Sequence, residues 1–232
     1  MQTQDDTVNI DSPSQPAMLE RLIAALRRRF GGKRSVESIR DAAALRNFLR
    51  TRASYVAQMT LYGYLRTRAG TRLALLYEDE QFVVATNIAK WHVWLACLSD
   101  LSAYVGGMLH RTGGAPNADV GRLICRMVDE ILAETGTPAD AGPEFAEHAG
   151  RVRARLALCI WSAQTDDNAP FCESPGALVY WAPIVDVLKE LDEGIVRNSI
   201  RFRWQEIRRE LRQTLDAASV MATAGDGRAP PA

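Results

Sequence analysis

The stretch from Gln81 to Leu109 reads QFVVATNIAKWHVWLACLSDLSAYVGGML and decides the fold class. Its apolar side chains recur at steps of three and four residues, the spacing of one helix face. They form two adjacent stripes, one of Val84, Ile88, Trp91, Leu95, Leu98, Ser102, Val105 and Leu109, and one of Val83, Trp94, Cys97, Leu101, Tyr104 and Met108. A helix with two apolar faces has neighbours on two sides, so we predict that residues 81–109 form a central helix. Gly106 and Gly107 predict either the close approach of a neighbouring element or a loosening of the last turns of the helix.

The chain on either side of this helix shows the same helical spacing, with Gly, Pro and Asn at the turns. It predicts further helices at residues 17–30, 36–68, 118–135, 143–164, 174–194 with a restart at Pro183, and 195–221. We therefore predict an all-α fold, a single irregular helical bundle of about six to eight helices around residues 81–109. The helical domain is assigned to residues 35–221, and we expect disorder in the acidic tail 1–16 and in the tail 222–232, because neither is periodic.

The formal net charge of zero hides two segments of opposite charge. Residues 17–72 carry thirteen basic and three acidic side chains, whereas residues 73–196 carry eight basic and eighteen acidic ones. With 47% apolar and 24% charged residues, the composition excludes fibrous and wholly disordered proteins. The basic leading segment, in which arginine predominates, therefore predicts contact with an anionic surface.

Residues 17–34 are predicted to form a basic amphipathic helix and its immediate continuation. The residues expected to bind the partner are Arg27, Arg28, Arg29, Lys33 and Arg34. Such a segment can contact an acidic protein surface or lie on an anionic membrane face. The acidic middle of the same chain is an equally good docking site, so this alternative stays open.

The functional class follows from what the motifs do and do not contain. The sequence has no G-x-S-x-G, no P-loop, no G-x-G-x-x-G and no histidine or cysteine spacing typical of a metal site. The first sixteen residues are polar and acidic, unlike a secretory signal. We therefore expect a non-enzymatic cytoplasmic interaction or assembly protein without cofactor or metal, whose partner is a protein or the inner face of a membrane. A homo-oligomer is compatible with this reading, and nucleic-acid binding is a weaker alternative.

Two polar residues in the central helix support a second alternative, a helical enzyme or small-ligand binder with a pocket around Trp91–Tyr104. Asp100 lies among apolar residues, and a buried carboxylate needs a basic partner, for which we predict an arginine of the basic segment. His92 lies between two tryptophans and is expected to pack in the core. If both residues line a cleft instead, they are the candidates for an acid or base role.

Overall fold

A computed structural model of the chain describes residues 38–225. Its helices are α1 (Ala42–Ala69), α2 (Leu73–Leu76), α3 (Glu80–Gly113), α4 (Asn117–Thr135), α5 (Phe145–Ala157), α6 (Ser174–Trp181), α7 (Asp186–Thr214) and α8 (Ala217–Gly225). Two short 3₁₀ turns lie at Gly70–Arg72 and Trp161–Ala163. The described residues contain no β-strand, and a single parallel bridge joins Ile39 to Leu215. The predicted all-α helical bundle is confirmed.

Several predictions concern residues outside this range. The acidic tail 1–16, the basic amphipathic helix with its continuation at 17–34, and most of the predicted C-terminal tail lie outside the described residues. The last four residues of the described range do differ from the expectation. Helix α8 continues to Gly225, beyond the helix end predicted at Met221.

Helix α3 is the central helix. The side chain of Asp79 caps its first turn by accepting a hydrogen bond from the N–H of Gln81 at 2.8 Å. All residues from His92 to Leu109 are buried, because α1, α4, α5, α6 and α8 surround this half of the helix. The first half is less enclosed, and Val84, which the apolar stripe places in the core, is 52% exposed.

The close approach predicted at Gly106 and Gly107 is made by the segment that follows α5. A Cβ atom at Gly106 would lie 2.2 Å from Cε3 of the buried Trp161, and one at Gly107 would lie 2.5 Å from Cβ of Gln164. The helix predicted over 143–164 is wrong in its last part for the same reason. Helix α5 ends at Ala157, and the chain then turns so that the indole enters the notch above Gly106.

The N-terminal boundary of α1 also differs from the prediction. Residues 38–40 are not helical, because the N–H of Ile39 donates to the carbonyl of Thr214 at 2.8 Å and the N–H of Asp216 donates to the carbonyl of Ile39 at 3.0 Å. The cap is Asp41, which accepts from the N–H of Ala44 at 2.8 Å, rather than a serine. The start of the described chain is thereby fastened to the C-terminal end of α7.

The helix end predicted at Gly194 is wrong. Helix α7 runs without interruption from Asp186 to Thr214, and Gly194 is one of its helical residues. Glycine inside a helix costs about 1 kcal/mol relative to alanine, which the packing of α7 against α1 and α6 exceeds. The restart predicted at Pro183 is confirmed, since α6 ends at Trp181 and α7 begins three residues after the proline.

Part of the basic block 17–72 is neutralised inside the fold. Arg46 of α1 pairs with Glu130, at 3.4 Å, and with Glu134, both on α4. Arg68, at the other end of α1, pairs with Asp192 of α7. These contacts join the basic block to the acidic segment 73–196, but they involve α1, so they do not test the docking of residues 17–34 on that segment.

Candidate functional site

Asp100 is completely buried and acts as a structural acceptor. Its Oδ1 accepts from Nη1 of Arg155 at 2.7 Å and from the N–H of Glu173 at 3.1 Å, and its Oδ2 accepts from the N–H of Ser174 at 2.8 Å. The carboxylate thus caps the N-terminus of α6 from the neighbouring α3. The prediction of an arginine from the basic segment is wrong, because the partner is Arg155 of α5, a helix that also packs against α3.

Arg155 links Asp100 to the segment that precedes α6. Its guanidinium also donates to Oγ of Ser99 at 2.8 Å and to the carbonyl of Pro170 at 2.9 Å, and it lies 3.1 Å from the carboxylate of Glu173. Burial raises the pKa of Asp100, and the guanidinium and the Ser174 contacts oppose this rise. The hydrogen-bonding capacity of the pair is therefore used to hold α3, α5 and α6 together.

His92 is also completely buried, and it pairs with a second histidine that the sequence did not connect with it. Its Nδ1 lies 2.8 Å from Nδ1 of His148 on α5, so one of these two nitrogens carries the shared hydrogen. Its ring stacks on the indole of Trp181, with centroids 3.7 Å apart. Burial lowers the pKa of His92 and lowers the pKa of His148 to about 4. The two imidazoles are therefore neutral at pH 7.

A cavity of about 530 Å³ lies beside this histidine pair. The polar and aromatic side chains that line it are Glu144, Glu147, His148, Arg151, Glu173, Tyr180 and Trp181. Neither His92 nor Asp100 lines the cavity, so the structure does not bring the two predicted acid or base candidates together in a cleft. The Nε2 atom of His92 is buried without a hydrogen-bond partner among the described residues.

The most unusual surface of the described chain lies on α7. Val187, Leu191, Ile195 and Phe202 are 68%, 72%, 75% and 64% exposed. At 100° per residue they fall on one side of the helix, opposite the buried side. That buried side consists of Val196, Ile200, Trp204, Ile207 and Leu211. We call the four exposed residues the α7 outer face.

The helix end predicted at Gly194 separates Val187 and Leu191 from the apolar residues of the next predicted helix, 195–221. Because α7 is continuous through Gly194, its helical periodicity can be followed from Val187 and Leu191 to the buried Val196 and Ile200. This periodicity places Val187 and Leu191 on the solvent side of the helix. The α7 outer face could therefore have been found from the sequence by following the rotation of about 100° per residue across Gly194.

A groove of about 650 Å³ runs between α1 and α7 beside the α7 outer face. Ile195 and Phe202 contribute to its lining, and Tyr64, Arg68 and Asp192 lie at one end. The hydroxyl of Tyr64 donates to Asp192 at 3.1 Å, and the Arg68 guanidinium binds the same carboxylate. Burial and the Asp192 contact raise the pKa of Tyr64 to about 12, while Arg68 lowers the pKa of Asp192. The polar wall of the groove is therefore occupied by internal contacts, and the apolar wall faces solvent.

The comparisons with known proteins assign no family. The chain matches no protein-family model, and no curated protein or solved structure matches it with significance. Within residues 38–225, no three His, Cys, Asp or Glu side chains come together as a metal site would require. No helix in that range combines the length and the apolarity needed to cross a membrane. The predicted partner-binding residues Arg27, Arg28, Arg29, Lys33 and Arg34 lie outside the described residues.

Proposed function

We propose that this chain is a non-enzymatic assembly protein that associates through the α7 outer face and contacts an acidic protein surface through residues 27–34. The observation that carries the proposal is the line of four large apolar side chains, each about two-thirds exposed, along four turns of α7. Exposed apolar side chains aligned on one side of a helix, here interrupted by Asn198, are typical of protein interaction sites.

Charge favours a protein over a membrane as the partner of the α7 outer face. The first two turns of α7 carry Asp186, Glu190, Asp192 and Glu193 against one lysine. An anionic membrane repels these carboxylates, whereas a protein surface can offer basic side chains opposite them. The basic segment 27–34 supplies the complementary contact with an acidic surface.

Capture of proteins from a cell lysate by full-length variants tests the proposal. We expect Ile195→Glu and the charge reversal R27E/R28E/R29E to lose the proteins that the unaltered chain retains. Leu158→Glu is the matched control, because Leu158 is 83% exposed and lies outside the α7 outer face. Capture that is unchanged in both test variants would contradict the proposal.

Co-sedimentation with vesicles that contain anionic lipid distinguishes a membrane partner from a protein partner. Salt-sensitive co-sedimentation of the full chain, lost in R27E/R28E/R29E, would assign the basic segment to a membrane face and overturn the choice of a protein. Equal recovery of the chain with and without vesicles supports the protein partner.

The cavity beside His148 favours a second candidate function, the binding of a small cationic ligand. Three carboxylates, Glu144, Glu147 and Glu173, line it together with the indole of Trp181 and outnumber the basic side chain of the lining, Arg151, which pairs with Glu147. Acidic and aromatic groups are the usual partners of an organic cation. Titration of the full chain with a set of amines, followed by tryptophan fluorescence, tests this candidate. A response that is retained in Glu147→Gln would count against the cavity as the site.

A further inference from the structure

We propose that the partner on the α7 outer face is a second copy of this chain, with the two α7 helices antiparallel about a two-fold axis between Gly194 and Ile195. This inference rests on the proposed function, because it names the partner of the same face. It follows from three features of α7, namely the order of its apolar residues, the order of its charges and the position of its glycine.

One pair of apolar residues is symmetric about the proposed axis, while Leu191 falls opposite Asn198 and Ile195 opposite Gly194. Val187 and Phe202, at the two ends of the α7 outer face, are equally distant in sequence from the point between Gly194 and Ile195. In an antiparallel pair, Val187 of each copy therefore faces Phe202 of the other. A two-fold interface needs such a self-complementary surface, because the same residues serve both copies.

The exposed charges beside the α7 outer face select the antiparallel direction. Glu190 and Arg201 are both exposed and lie eleven residues apart, about three helical turns, so they share one flank of the helix. The proposed axis places Glu190 of each copy level with Ser199 of the other, two residues or about 3 Å along the helix from Arg201, a distance that these two long side chains can span. In a parallel two-fold pair the same flank of the two copies would lie on opposite sides of the contact, so Glu190 and Arg201 would not meet each other.

Gly194 lies where the two helices would cross. No heavy atom lies within 4 Å of the position that a Cβ atom would take at Gly194, so packing within one copy does not require a glycine there. Glycine allows two helix backbones to approach closely, which the crossing point of a pair uses. A contact between copies would therefore use the glycine at this position, which packing within one copy does not.

Residues 17–34 are the other occupant to consider, and their charge disfavours them. The described chain starts at Ser38, whose hydroxyl donates to the carbonyl of Thr214 at the C-terminal end of α7. A segment that returns along α7 from this point first brings residues 27–34 to the half of α7 that carries Arg201 and Arg209. These like charges repel each other, whereas a second copy meets opposite charges.

Sedimentation velocity of the purified full-length chain over a concentration series tests the inference. We expect a dimer for the unaltered chain and for the control Leu158→Glu. Ile195→Glu brings two carboxylates together near the axis, and we expect its dissociation constant to rise about a hundredfold. Glu190→Arg and Arg201→Glu should each weaken the dimer about tenfold. An equimolar mixture of these two variants should dimerise as the unaltered chain does, because each then meets an opposite charge.

Three results would overturn the inference. They are a monomeric unaltered chain, a mixture of E190R and R201E that dimerises no better than either alone, and loss of the dimer in L22E/L26E, which would assign the contact to the N-terminal segment. A monomeric chain whose Ile195→Glu variant still loses captured proteins would refute the second copy and leave the proposed function standing. A dimer that behaves as expected, with capture unchanged in Ile195→Glu and in R27E/R28E/R29E, would refute the proposed function alone.

Discussion

Asp100→Asn separates a structural role of this carboxylate from a catalytic one. The substitution keeps the size of the side chain, removes its charge and replaces one acceptor oxygen by an NH₂ group that faces a donor. Arg155 then loses its buried partner, and one of the N–H groups at the start of α6 loses its acceptor. Breaking a buried ion pair from one side costs about 3–5 kcal/mol. Because Arg155 keeps its contacts with Glu173 and the Pro170 carbonyl, we expect about 3 kcal/mol for Asp100→Asn.

Urea unfolding at pH 7, followed by circular dichroism, measures this loss. Arg155→Met should cost at least as much, since it leaves the fully buried Asp100 carboxylate without its guanidinium. The double variant D100N/R155M should lose less than the sum of the two single losses, by about 1–3 kcal/mol. A change below about 0.5 kcal/mol in Asp100→Asn, the size typical of a neutral surface substitution, would refute the structural reading. It would return Asp100 to the acid or base candidates.

Three further predictions concern packing, pH and the glycine of α7. Gly106→Ala should cost about 2–3 kcal/mol, because its Cβ would lie 2.2 Å from the Trp161 ring, and unchanged urea stability would show that the ring moves freely. Burial lowers the pKa of both His92 and His148, the latter to about 4, so the unfolded chain binds protons first as the pH falls. The free energy of unfolding should therefore fall by about 2 kcal/mol between about pH 6.5 and pH 4. His148→Gln should make this fall smaller, as measured by urea titrations at a series of pH values. Gly194→Ala should raise the stability of a single copy by up to about 1 kcal/mol and weaken the dimer in sedimentation, whereas a tighter dimer would contradict close approach at this residue.

The fold was predictable where apolar spacing and turn residues agree. Residues 81–109 carry uninterrupted helical spacing, and α3 occupies that range with one residue added at its start and four at its end. Gly70 and Gly136 end helices as expected, with φ of 53° and 63°. The helix boundaries that were wrongly predicted depend on contacts between residues that are distant in sequence. Residues 38–40 are extended because they pair with the end of α7, and no local pattern contains that partner.

The site was less predictable than the fold, because its contacts join separate helices. Asp100 required a basic partner, but the choice of Arg155 depends on α5 lying beside α3. The pairing of His92 with His148 depends on the same contact between helices. Residue type alone thus indicated that partners were needed, and only the packing of the helices determined which ones they are.

The position of α7 explains why one helix has both a buried and an exposed apolar side. It packs on α1 and α6 at the edge of the bundle rather than around α3, so one side reaches the core through Trp204 and the other has no neighbour within the described residues. A helix with no need for a partner would carry polar residues at Leu191 and Ile195, since exposed apolar side chains there add nothing to the stability of a single copy. Two copies joined at this face would also present two basic segments to one acidic partner. Bivalent binding of that kind strengthens a weak electrostatic contact without any new contact residue, which is how the dimer would serve assembly.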